Sequence, residues 1–66
     1  MSYSKLKVQR IIKNKTQEEL ATSAGVGRVT ISNIEKGKIN SVQLGTLKKI
    51  AAALDSTVQE LFLNEE

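Results

Sequence analysis

Apolar residues recur at three- and four-residue spacing in short blocks, and glycine or a small polar residue closes most of them. That rhythm predicts five short helices and no strand. The first runs from about Ser4 to Lys13, with Asn14 as a left-handed stop, a conformation asparagine tolerates better than most residues. Thr16 opens the second: its hydroxyl can cap a free amide while Glu19, three residues on, reaches back to the cap. Leu20, Ala21 and Ala24 give this helix a small apolar face, and Gly25 ends it. The third begins at Gly27 and continues to about Lys36, with Ile31 and Ile34 pointing inward, Val26 closing the turn from outside and Gly37 as the stop. Residues 38–43 read as a polar connection. The fourth spans roughly Leu44 to Leu54, with Leu44, Leu47, Ile50, Ala51 and Leu54 on its apolar face; Gly45 in its first turn works against it. Thr57 and Glu60 form a second capping box, opening a last short helix through Val58, Leu61 and Phe62.

The first helix carries a conflict. Leu6, Arg10 and Lys13 share one side, whereas Val8, Ile11 and Ile12 share nearly the opposite side at about 100° per residue. Periodicity alone buries the second set and exposes the first. Either the three aliphatic residues pack from a shifted angle, or they form an exposed patch of the kind that marks partner surfaces.

Sixty-six residues predict one domain over 1–66, closing a single core. The chain has no His, Cys or Trp. That removes the commonest general base, the commonest metal ligand and the most reactive nucleophile, so neither an enzyme nor a metal or cofactor site is expected. No apolar stretch approaches the roughly 20 residues of a membrane span, and a cytoplasmic location is the expectation. Charge informs by position. Met1–Ile50 holds all ten basic residues against three acids, while Ala51–Glu66 holds four acids and no base. Such segregation turns the first three-quarters of the chain towards a polyanion and the last quarter away from it.

Two helices joined by a tight glycine turn, the second apolar on one side only, suit double-stranded DNA: the N-terminal end of the second enters the major groove while the first crosses the backbone. The residues able to read base edges are Arg28, Val29, Thr30, Ser32 and Asn33. Arg28 can bond guanine O6 and N7 together, Val29 can pack on a thymine methyl, and Asn33 suits adenine or a phosphate. Thr16 and Lys36 are candidate phosphate contacts.

Thr16–Gly37 resembles the helix-turn-helix of the Xre family, the class of phage repressor and Cro proteins. The likeness extends through Leu44–Leu54 to Thr57–Phe62, which are similar to the family's fourth and fifth helices. It implies an all-α, five-helix DNA-binding domain with helices two and three as the reading unit, and a transcriptional regulator with repression as the default. It implies that Gly27, Arg28, Val29 and Asn33 face base edges with Thr30 and Ser32 nearer the groove wall, that Gln17 contacts phosphate and braces the recognition helix, and that Lys38 and Asn40 lie in a loop against the DNA backbone. It also pairs Arg10 with Glu35 as an internal salt bridge, where charge alone would make Arg10 a DNA contact. The chain departs from the family at Gln9 and Lys15, usually aliphatic, and at Val42, often proline.

One such domain touches too few base pairs for specificity against a genome, so a homodimer on a palindromic operator is expected. The last helix offers Val58, Leu61 and Leu63 for the interface, unless Leu61 and Phe62 cap the monomer core instead. The alternative from another class is a protein-binding module of the same fold, such as an antitoxin. Its support is the Val8, Ile11 and Ile12 patch, where a protein antagonist can also dock.

Overall fold

Residues 5–39 and 42–63 are described by the structure, a computed structural model. The order is α1 (Lys5–Ile12), α2 (Gln17–Ala24), α3 (Arg28–Glu35), α4 (Leu44–Ala53) and a π-wound fifth helix, α5 (Gln59–Leu63). All regular structure among the described residues is helical. None of these helices exceeds ten residues, below the roughly 12–15 at which an isolated helix becomes even marginal in water. Each must therefore be held by its neighbours. Helix α2 packs on α3 and α4, while α1 bridges α3 and α5.

The helix ends follow the local chemistry. The Thr16 side chain accepts from the Glu19 amide at 3.0 Å, and the Glu19 carboxylate accepts from the Thr16 amide at 2.8 Å. The same box closes at the last helix between Thr57 and Glu60, at 3.1 Å in both directions. Gly25 stands at φ +73°, where a Cβ is disfavoured, and the Val26 amide bonds back to the Ala21 carbonyl at 3.0 Å. That bond completes a Schellman-type stop. Asn14 ends α1 at φ +60°, the left-handed position expected for it. Ser4, expected to start α1, lies outside the described residues.

The core is aliphatic. Leu6, Leu20, Ile31, Ile50 and Leu54 are all fully buried, joined by the small residues Ala21, Ala24 and Ala51 that let α2 and α4 cross closely. Each large side chain so placed contributes about 1.5–3 kcal/mol relative to exposure. Two expectations need correcting here. The connection after α3 is not simply polar, because Ile39 and Val42 are partly buried against the core and anchor it. Leu44 is 56% exposed rather than part of the apolar face, since it begins α4 ahead of the turn that meets α2.

The conflict in α1 resolves against periodicity. Leu6 is buried and Arg10 points inward, whereas Val8, Ile11 and Ile12 are 38, 57 and 64% exposed. The ion pair of Arg10, described below, fixes the rotation of the helix. Its more apolar side is left facing solvent.

Gly45 meets no such constraint. A Cβ built there has nothing within 4 Å, and its backbone is not left-handed. Gly45→Ala is expected to raise stability by up to about 1 kcal/mol, visible as a melting temperature higher by roughly 4–8 °C.

Candidate nucleic-acid interface

Helix α3 is built to present one side. Ile31 and Ile34 are 0 and 5% exposed and anchor it to the core. At 100° per residue the opposite side centres on Val29, which is 67% exposed. Arg28 and Ser32 flank it on one edge, Thr30 and Asn33 on the other. Arg28 is exposed, and Thr30, Ser32 and Asn33 are half-buried.

The N-terminus of α3 carries no side-chain cap. Gly27 occupies the cap position in extended backbone (φ −78°, ψ 148°). A serine or aspartate there would occupy one of the first amides, whereas glycine leaves them to an incoming acceptor. The positive end of the helix dipole points the same way and favours a negatively charged partner.

Behind this face runs a polar relay. Arg10 Nε donates to Glu35 Oε2 at 2.7 Å and a second guanidinium nitrogen, Nη2, to Oε1 at 3.2 Å. Its Nη1 donates to the Lys15 carbonyl at 2.8 Å. The two side chains are only 11 and 5% exposed. Arg10 is thus wholly engaged inside the molecule, and the choice left open between DNA contact and internal pair falls to the pair. Glu35 Oε1 also accepts from Gln17 Nε2 at 3.1 Å, and Gln17 Oε1 accepts a long 3.5 Å contact from Arg28 Nη1. Gln17 therefore links the first turn of α2 to both ends of α3, with its side-chain amide drawn into the protein.

A concave strip lies beside α3, lined by Gly27, Thr30 and Asn33 on one wall and by Lys38, Gln43, Thr46 and Lys49 on the other. It brings the outward side of α3 together with the connection that follows and the first turns of α4. Gln43, Thr46 and Lys49 were not among the sequence candidates. Their three-residue spacing on one flank of α4, away from Leu47 and Ile50, was the available signal.

The remaining candidates fall as follows. Thr16 is exposed at the start of α2, but its hydroxyl already caps Glu19. Lys36 is exposed at the C-cap of α3, a helix length from Arg28. Asn40 lies outside the described residues. Of the expected dimer residues, Leu61 is 6% exposed and belongs to the core, where α5 packs on α1. Val58 and Phe62 are half-buried, and the side chain of Leu63 is not among those described. None of the described helices is long and apolar enough to cross a membrane.

Comparison with known proteins agrees with this geometry. The helix-turn-helix family model matches residues 6–61. A protein of Methanocaldococcus jannaschii, named as an HTH-type transcriptional regulator, is 41% identical over 63 residues, covering 96% of this chain and 94% of its own length. A regulator so named from Archaeoglobus fulgidus is 43% identical over 53 residues, covering 80% of this chain and 73% of its own. Among solved structures, the restriction-modification controller protein C.AhdI from Aeromonas hydrophila superposes with a TM-score of 0.79 at 36% identity, over 88% of this chain and 86% of that one. The free amides, the outward Val29 face and the relay behind it therefore sit in a known frame: the chain belongs to the Xre-like helix-turn-helix family of DNA-binding transcriptional regulators.

Proposed function

We propose that this chain acts as a homodimeric, cytoplasmic repressor, reading a palindromic operator through Gly27, Arg28, Val29, Thr30, Ser32 and Asn33. The observation that carries the reading is the exposed side of α3, where an arginine, a valine and an uncapped amide end share one surface. Arg28 bonds guanine in the major groove, Val29 packs on a thymine methyl, and Asn33 reaches an adenine or the backbone. Lys38 and Lys49, with Gln43 and Thr46 between them, hold a phosphate strand along the concave strip, and Thr16, Gln17, Lys36 and Asn40 are further backbone contacts of this reading. Gln17 acts there through its second amide hydrogen and the first amides of α2. Two copies set one helical turn apart, about 34–36 Å, span enough base pairs for specificity.

Selection from random duplexes tests this directly. The expected product is an inverted repeat with half-sites about 10 base pairs apart centre to centre; retention of all sequences alike removes the direct-readout reading. Lys38→Ala should weaken every duplex equally and reduce the salt slope of binding by about one unit, since one phosphate contact releases about one counterion. The antitoxin reading has no counterpart among the relatives named above.

A further inference from the structure

Beside the exposed patch of α1 lies a groove that DNA reading does not use. One wall is α1 and the turn that ends it, with Lys5, Val8 and Lys13; the other is the turn after α4 and the start of α5, with Asp55 and Glu60. Buried Leu54 and Leu61 form the floor. Ile12, one turn on from Val8, stands 64% exposed on the lip. The groove shares no residue with the concave strip beside α3, so both can be occupied at once.

Its walls carry opposite signs and do not neutralise each other. Among the described residues Lys5, Lys13 and Asp55 have no ion-pair partner, and Glu60 is engaged at the Thr57 amide. An acidic partner would be repelled by Asp55 and Glu60, a basic one by Lys5 and Lys13. A second copy satisfies both. A two-fold arrangement can set each basic wall against the other copy's acidic wall and each apolar lip in the other copy's groove. We propose that two copies of this chain associate through this face, exchanging the Val8, Ile11 and Ile12 ridge of α1. The proposal rests on the homodimer reading and assigns it a surface centred on α1 rather than on α5 alone.

Sedimentation equilibrium of the full chain, with thermal melts as the check on folding, decides the matter. Ile12→Asp changes an exposed residue, so the monomer stays folded while self-association weakens about tenfold or more. Lys5→Glu/Lys13→Glu reverses the basic wall, and Asp55→Lys cancels the acidic one, Glu60 being kept for its cap; each protein alone associates more weakly. Mixed together, the two proteins pair with each other in preference to themselves, because one of the two wall contacts is again between unlike charges and the other is no longer repulsive. A defect internal to one chain would not be repaired by mixing. The same mixture carrying Ile12→Asp in both chains stays dissociated; its recovery would reduce the effect to long-range attraction and overturn the surface. A wild-type dimer indifferent to Ile12→Asp and to both charge changes keeps the homodimer but overturns this face. A wild-type chain that is monomeric at high micromolar concentration removes the homodimer itself.

Discussion

Arg10→Ala is expected to cost about 3–5 kcal/mol of stability, because it strands the Glu35 carboxylate in a largely buried position. Glu35 is only 5% exposed on its side chain, and Gln17 alone cannot replace the two guanidinium bonds it would lose. The Lys15 carbonyl loses its 2.8 Å donor in the same step. A chain of 66 residues commands roughly 3–10 kcal/mol in total at about 0.05–0.15 kcal/mol per residue. The variant should therefore melt at least about 12 °C lower or be partly unfolded at room temperature. Loss of DNA affinity would follow from unfolding, not from a missing contact. Replacing both partners at once, as Arg10→Met/Glu35→Leu, should recover more than half of the loss, since no buried charge is then stranded. Urea or thermal denaturation measures both. An Arg10→Ala protein that melts at the wild-type temperature overturns the assignment.

Arg28→Ala is the complementary experiment, with the largest effect expected on sequence discrimination. Arg28 is exposed and lies outside the core, so stability should stay within about 0.5 kcal/mol of wild type. Loss of a bidentate arginine–guanine contact should remove about 1–3 kcal/mol of preference at one base pair, roughly 5- to 150-fold, and leave the other positions of the operator as they were. Competition binding against duplexes altered one base pair at a time reads this out. Uniform weakening over all of them would make Arg28 a phosphate contact instead. Gln17→Ala should weaken binding to every duplex through its lost backbone contact and add a weaker version of the same change, because Gln17 also lies 3.5 Å from the Arg28 guanidinium before DNA arrives.

The five helices and their stops were legible in the sequence because each rests on local chemistry. The two T-x-x-E boxes, Gly25 and Asn14 act within a few residues of themselves, and no distant contact overrides them. What could not be read by pattern is the rotation of α1. An apolar count favours burying Val8, Ile11 and Ile12, yet one guanidinium bonded to a carboxylate 25 residues away sets the helix the other way round. Family resemblance supplied that pair; periodicity had no access to it. The face of α3 was readable from the spacing of Ile31 and Ile34. Its second wall at Gln43, Thr46 and Lys49 was not, because it exists only once α4 is laid across α2. Leu61 shows the opposite failure. Its sequence suits surface and core alike, and only the packing of α1 on α5 decides for core.

The uncapped start of α3, held by isoleucines on one side and bare on the other, has an evolutionary corollary. Scaffold and alphabet are separate here. Positions 28, 29, 32 and 33 can be rewritten with little debt to the interior, so a duplicated copy of this gene can acquire a new target in few steps while its architecture stays put. Among descendants, divergence should gather at those letters and spare Leu20, Ile31 and Ile50.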